Sequence, residues 1–492
     1  MPQPKDLEFL RPCGNIERYS TSRHHLGYYL NIQITASYSH PSSPHPLPRI
    51  IFSALEKVIH RHPILSAIPI DEDKNTTFFA RLPEINLSSC VQFIERRGPV
   101  PTGTQSDTEL DRIIETQHNI GFTTNYADRP FWRVVVLYES GVSRAFSLVW
   151  VVHHAIGDGT SGLVFHRCFL KALRSVGEGE GEGEGGDGDI AVVKSSSEKL
   201  FPTLEELHPL PLSVGFLAKQ QWREWFPLPR SSTYTGSPIS LFPTHLDTNF
   251  RSLILSKQTT SDLLTLSRNN KTTLTATIQC LIAASLFASL DPAKFNTLEA
   301  NGATSLRRFL KLPDKSRSID EEIGVWVSRY GSQHHRPPAP APAPAAQSAN
   351  PTDLENENEN EVLRLFSWSE ARRIRVDITS QLDKNMRDQS SALLRWVPDI
   401  FALFEKRIGR DREHSFELSN LGREEGKEES GWKLERCIFS QVASVTGAAV
   451  EFGLATGGDG CAVLGVSWNG GAVREEGFVE GVLEGVERGL GG

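Results

Sequence analysis

Residues 145–162, AFSLVWVVHHAIGDGTSG, constrain the fold of this chain more than any other stretch. The unbroken apolar run AFSLVWVV reads as a strand. His153 and His154 close it. Gly157 and Gly159 then flank Asp158, and glycine on both sides permits a tight turn with unusual backbone angles. Thr160 or Ser161 can N-cap the segment that follows, where Phe165, Phe169 and Leu173 share one helical face. Strand, sharp turn and helix in that order belong to an α/β domain.

At 492 residues the chain is too long for one core, because single cores stop growing near roughly 250–300 residues. Strands and helices alternate along it. YYLNIQITASY (28–38), FWRVVVLY (131–138), RSLILS (251–256), IGVWVSRY (323–330) and AVLGVSWNG (462–470) are strand-like. LPRIIFSALEKVIHRHP (47–63) carries a helical apolar stripe that must stop by Pro63. ALLRWVPDIFALFEKRI (392–408) and GFVEGVLEGVERGL (477–490) are also helix-like, the last docking on a sheet. The expected organisation is a first half over 1–200, a Pro-rich connector over 201–245, and a second half over 246–492. Low-complexity stretches interrupt this pattern: a Gly/acid repeat at 176–190, PPAPAPAPAA (337–346), ENENENE (355–361) and GREEGKEESG (422–431). Residues 331–361 are expected to form a disordered insertion.

Charge and cysteine usage narrow the function classes. The net charge is −8, and Glu178, Glu180, Glu182, Glu184, Asp187 and Asp189 alone supply −6 of it. What is left offers no basic field for nucleic acid or an anionic membrane. Six scattered cysteines, with no CxxC pair, read as reduced thiols, and Cys168 reads as core. No apolar signal segment opens the sequence. The most apolar run, Leu274–Leu290, falls short of the roughly 20 residues a membrane span needs and contains Thr275, Thr277, Gln279 and Ser285. A cytoplasmic protein without a transmembrane segment is expected, and a monomer, since no coiled coil is evident.

If the apolar strand runs through the histidine pair, the two rings point to opposite sides and only one can face a cleft. The same divergence argues against a metal site. The following helix places partial positive charge near the ring, which favours neutral imidazole, the form a general base requires. Asp158 is then either the acceptor that orients the histidine or a structural ion-pair partner.

HHAIGDG (153–159) resembles the HHxxxDG signature of the chloramphenicol-acetyltransferase-like superfamily, which includes condensation domains, plant HxxxD acyltransferases and fungal alcohol acetyltransferases. RPCGNIERYSTSRHHLGYY (11–29) looks like the opening of the fungal alcohol acetyltransferase family. VIHRHPILSAI (58–68), DRPFWRVVVL (128–137), the apolar helix at 274–290, TSLRRFL (304–310) and FELSNLG (416–422) are similar to further blocks, so the resemblance spans about residue 8 to 470. It implies an α/β fold of two chloramphenicol-acetyltransferase-like domains, each a mixed sheet flanked by helices, with a solvent channel between them. It implies an acyl-CoA-dependent O-acyltransferase that uses acetyl-CoA and no metal, with a small-molecule hydroxyl acceptor as its other partner. His154 is carried over as the general base and Asp158 as the motif's structural anchor. His153, Gly159 and Arg307 support the motif; Arg307 is Asp158's expected partner and Arg308 the alternative. Ser419 and Asn420 are candidates for oxyanion or substrate contacts. His24 and His25 are kept as structural or acceptor-tunnel residues. The rival readings are an N-acyltransferase or condensation-type enzyme on the same fold, and a non-catalytic ligand-binding relative.

Overall fold

The computed structural model describes residues 7–41, 46–123, 128–140, 144–177, 191–226, 230–240, 247–338, 361–424 and 431–490. Most of each low-complexity stretch, and the turn at Gly141, lie outside them. In the first half the chain runs β1 (Glu8–Pro12), α1 (Asn15–His25), β2 (Ile32–Ser39), α2 (Leu47–Arg61), β3 (Ala67–Ile70), β4 (Phe78–Arg81), β5 (Glu84–Asn86), α3 (Leu87–Cys90), β6 (Val91–Glu95), α4 (Thr108–His118), β7 (Trp132–Tyr138), β8 (Ala145–Val152), α5 (Gly159–Gly177) and β9 (Val192–Lys194). It continues through α6 (Leu204–Leu207), α7 (Val214–Trp225), β10 (Thr233–Tyr234), β11 (Thr248–Leu255), α8 (Lys257–Asn269), α9 (Leu274–Ser289), β12 (Thr297–Ser305), β13 (Val327–His335), α10 (Trp368–Asp383), α11 (Ile400–Glu405), β14 (Phe416–Arg423), β15 (Lys433–Gln441), β16 (Val450–Thr456), β17 (Ala462–Asn469) and α12 (Phe478–Gly489).

Two mixed sheets organise this chain, giving the expected α/β class. The first has the order β15-β2-β8-β7-β6. The second runs β10-β12-β14-β16-β17-β11, with β13 also paired to β12. β8 lies in the middle of the first sheet, between β2 and β7, and is buried along almost its whole length. That position accounts for its continuous apolar sequence. α2 buries Ile50, Ile51, Ala54, Leu55, Val58 and Ile59 and ends at Arg61, with His62 extended before Pro63.

β15 comes from the second half of the sequence yet pairs antiparallel with β2 of the first sheet, Phe439 opposite Ile34. The second half therefore lends a strand to the first sheet. The stretch expected as a connector carries α6 and α7, and its β10 joins the second sheet beside β12.

Four local expectations are corrected. Residues 331–335 are not part of a disordered insertion but the end of β13, in register with β12 from Thr297↔His335 to Asn301↔Gly331. Their polar sequence hides a buried face, where Ser332 and His334 meet Gln279. The helix expected over 392–408 is broken, with a 3₁₀ turn to Trp396 and α11 starting at Ile400. Pro398 forces the break by disfavouring helical backbone at Val397. The C-terminal helix α12 docks mainly on another helix: Ser285 of α9 donates to Val482 O at 2.6 Å, and Gly485 and Gly489 sit against Ser285 and Leu281. Finally, Asp158, not Thr160 or Ser161, caps α5. Its Oδ1 accepts the Ser161 N–H at 2.9 Å.

Candidate active site

The turn from β8 into α5 is anchored from below by Asp158. Arg307 Nη1 lies 2.8 and 2.7 Å from its two carboxylate oxygens. Ser161 Oγ and the Trp326 N–H also donate to it, at 3.0 and 3.1 Å. Arg307 Nη2 reaches Ser161 Oγ, and its guanidinium lies 4.9 Å from the centre of the Trp326 ring. Both side chains are buried. Burial raises the carboxyl pKa of Asp158, but the Arg307 charge and these hydrogen bonds outweigh it and hold the group below the ordinary range. Arg307 is thus the partner, and Arg308 lies over Phe309 instead. The expected alternative of Asp158 orienting the histidine is not the arrangement found.

His154 stands on the other side of the turn. The chain has left the strand at Val152, so the two histidines diverge through the turn and not through strand alternation. His154 Nδ1 lies 3.1 Å from Gly157 O. A carbonyl only accepts, so Nδ1 carries the proton and Nε2 keeps its lone pair. The ring is half-buried and sits 5.7 Å from Tyr29. Burial first, and the Arg23 charge second, lower its pKa to about 4. Neutral imidazole was expected, but its cause is burial and Arg23, with no need for the helix terminus.

His153 turns into the core beside His24 and Glu72. His153 Nδ1 accepts the Ala155 N–H at 2.9 Å, and its Nε2 lies 3.1 Å from Glu72 Oε1. His24 Nε2 accepts the Phe122 N–H at 3.1 Å, and its Nδ1 lies 2.9 Å from Glu72 Oε2. The three side chains are close enough to be considered as metal ligands. Two backbone N–H groups nevertheless fix both tautomers so that each ring turns an N–H, not a lone pair, toward the shared carboxylate. The donor set thus turns two ring N–H groups, not two lone pairs, toward the carboxylate and does not fit a metal.

Gly159 lets this turn approach the second half. A side chain there would begin 2.5 Å from Leu421 Cδ2 and 3.3 Å from Phe439. Ser419 and Asn420 precede Leu421 on β14. Ser419 donates to Glu417 Oε1 at 3.1 Å. Asn420 is held at both ends, by Thr275 Oγ1 at 2.9 Å and the Gly422 N–H at 2.8 Å. His25 is exposed and edges Phe401. Cys168 lies 3.2 Å from His62 Nε2, so a nearby base exists, but burial raises the thiol pKa.

Several site neighbours carried no sequence signal of their own. Arg23 stacks over Tyr29 at 4.1 Å, Tyr29 OH donates to Gln441 Oε1 at 3.2 Å, and Gln441 Nε2 donates to Glu417 at 3.1 Å. A spacing pattern finds none of these, because they converge from α1, the segment between α1 and β2, β14 and β15.

The alcohol acetyltransferase family profile matches residues 104–301. A probable alcohol acetyltransferase of Aspergillus fumigatus, crmB, is 32% identical over 96% of this chain and 97% of its own length. A second, FCK4 of Fusarium pseudograminearum, is 25% identical over 97% of this chain and 94% of its own. Among solved structures, the TRI3 trichothecene 15-O-acetyltransferase of Fusarium sporotrichioides superposes with a TM-score of 0.69, at 13% identity, over 98% of this chain and 94% of that one. The condensation domain of the Monacolin K polyketide synthase MokA gives 0.58 at 11% identity, over 98% and 97%. At these identities the structural matches speak for the fold alone.

Proposed function

Because the chain belongs to the alcohol acetyltransferase family, and is therefore an acyltransferase enzyme, we propose that it transfers acetyl from acetyl-CoA to the hydroxyl of an alcohol or secondary metabolite. The observation that carries this reading is the tautomer of His154, with Nδ1 spent on Gly157 O and Nε2 left as a base. In this mechanism Nε2 takes the acceptor's hydroxyl proton as the oxygen attacks the thioester carbonyl. The tetrahedral intermediate collapses, the C–S bond breaks, and the imidazolium returns the proton to the departing thiolate. Both co-substrates are bound together and no acyl-enzyme forms.

The remaining residues support this step. Asp158 and Arg307 hold the turn rigid, Gly159 seats it against β14, and His153 fixes its buried side. The oxyanion draws a donor from Ser419, whose hydroxyl must turn from its single bond to Glu417 Oε1, rather than from Asn420, whose amide is held at both ends. No single helix among the described residues is long and apolar enough to cross a membrane.

Incubation with acetyl-CoA and a mixed alcohol library, followed by mass spectrometry, tests the proposal. It predicts acetyl esters together with free CoA. Free CoA without any ester, or neither product, contradicts it.

A further inference from the structure

The second sheet turns a row of buried polar residues toward the first. Asn301 of β12 is in register with Glu417 of β14, Glu417 with Glu451 of β16, and Glu451 with Ser467 of β17. Residues in register share a face. Gly453 and Gly465 lie two residues along on that face, and a side chain at either would strike Phe439 of β15. Since β15 belongs to the first sheet, this face looks onto the seam between the sheets. The hydrogen-bond chain Glu417–Gln441–Tyr29 then runs from the row to the ring beside His154.

The two glutamates differ in kind. Glu417 is half-buried although its strand is interior to the sheet, so it opens onto the seam. It accepts from Asn301 Nδ2 at 2.7 Å, Ser419 Oγ at 3.1 Å and Gln441 Nε2 at 3.1 Å, so its oxygens act as acceptors. Glu451 is 4% exposed, and its one hydrogen bond among the described residues is from the Ser444 N–H at 3.1 Å, to Oε1. Burial and the neighbouring Glu417 raise its pKa well above normal. The nearby cations are engaged elsewhere: Arg412 Nη1 binds the carbonyls of Ser444, Val445 and Gly447, and Arg23 stacks on Tyr19 and Tyr29. The pair therefore presents a proton donor beside a proton acceptor.

We propose that Glu451 and Glu417 form a recognition subsite for a second hydroxyl on the acceptor, so that the enzyme acetylates diols and polyols in preference to simple alcohols. This rests on the acetyltransferase reading above. Glu451 Oε2–H donates to that hydroxyl and Glu417 accepts from it. The donor end is an unsuitable assignment, because carboxylates repel the phosphates of CoA. An ammonium group suits the pair less, because Arg23 is adjacent and Glu451 would have to ionise. A simple alcohol would lay methylene groups against two buried carboxyls, and sites built to bind a hydroxyl reject analogues that lack it.

Acceptors of one carbon skeleton, with and without a second hydroxyl, provide the test. The ratio of kcat/KM for diol over mono-alcohol is measured within each protein, so any loss of folded fraction cancels. The expected ratio is on the order of 10² in the wild type, largely kept in Glu451→Gln, which still donates, and about tenfold or less in Glu451→Leu, through a higher KM for the diol. Mono-alcohols turned over as well as diols by the wild type, or an amino-alcohol preferred to both, would overturn the subsite while leaving the acetyltransferase reading intact. No turnover of any alcohol would overturn that reading and the subsite with it.

Discussion

Asp158 and Arg307 are 149 residues apart in sequence, yet one guanidinium nitrogen lies within 2.8 Å of both carboxylate oxygens. The pair ties the turn that carries His154 to the second half of the chain. It is fully enclosed, so its loss exposes no compensating solvent. Removing one partner of a buried pair costs about 3–5 kcal/mol, because the other charge is left unpaired. Arg307→Met and Asp158→Asn should each lower the unfolding free energy by about that amount, since the amide keeps one acceptor oxygen where Ser161 and Trp326 donate to two and leaves Arg307 unpaired. Midpoints equal to wild type would contradict the anchoring role. Asp158 titrates below its ordinary value of about 3.9. Its stabilisation is therefore complete above that value and is lost as pH falls through the lowered one.

The pH profile of turnover follows from the His154 environment. With its pKa lowered to about 4, the ring is already neutral well below the ordinary histidine value of about 6.5. The acid limb of kcat/KM should fall near pH 4, with a flat profile through 6.5. Arg23→Met removes the positive neighbour, so the limb should move up, toward 6.5 but short of it, because burial is the larger cause. A wild-type limb at 6.5 would contradict this account.

Gly162, one turn into α5, lies directly on β2. An added Cβ would fall inside contact distance of Ile34 along most of its side chain. Gly162→Ala should destabilise by roughly 1–3 kcal/mol, the usual cost of overpacking, and Ile34→Ala in the same chain should recover part of it. Thermal unfolding of the single and double variants measures both, and an unchanged midpoint in the single variant would contradict the packing.

The His24–Glu72–His153 cluster makes a prediction about metals. If backbone N–H groups fix both tautomers, as the 3.1 and 2.9 Å contacts from Phe122 and Ala155 indicate, zinc should not stabilise the fold. Melting temperature and thioester turnover should be the same with added Zn²⁺ as after dialysis against EDTA. A rise in melting temperature that scales with zinc concentration would mark the cluster as a metal site.

How much of this was legible in the sequence depends on the range of the interactions. The run from Ala145 to Gly162 is local: apolar residues, glycines and a helical stripe sit side by side, so strand, turn and helix can be read directly. The Asp158–Arg307 pairing was reached through family resemblance, since no spacing rule links the two. Pro398 was a visible signal that the apolar periodicity of 392–408 obscured. The end of β13 was hidden because its buried residues are polar and find partners on α9. Glu72 and Arg23 reach the motif only through the tertiary packing of the first half, and Glu451 nears Tyr29 only once the second sheet is in place; composition reports neither. The crossing of β15 is of the same kind, fixed by glycines at 453 and 465 whose significance appears only against Phe439.

The central claim is that one neutral imidazole takes the acceptor's proton. It is tested most directly by comparing acetyl-CoA turnover, with a hydroxyl acceptor present, in wild type and in folded His154→Ala. Loss of this base should slow turnover on the order of 10²–10⁴-fold, with the unfolding curve kept close to wild type. A folded His154→Ala that turns over within about threefold of wild type would contradict the account.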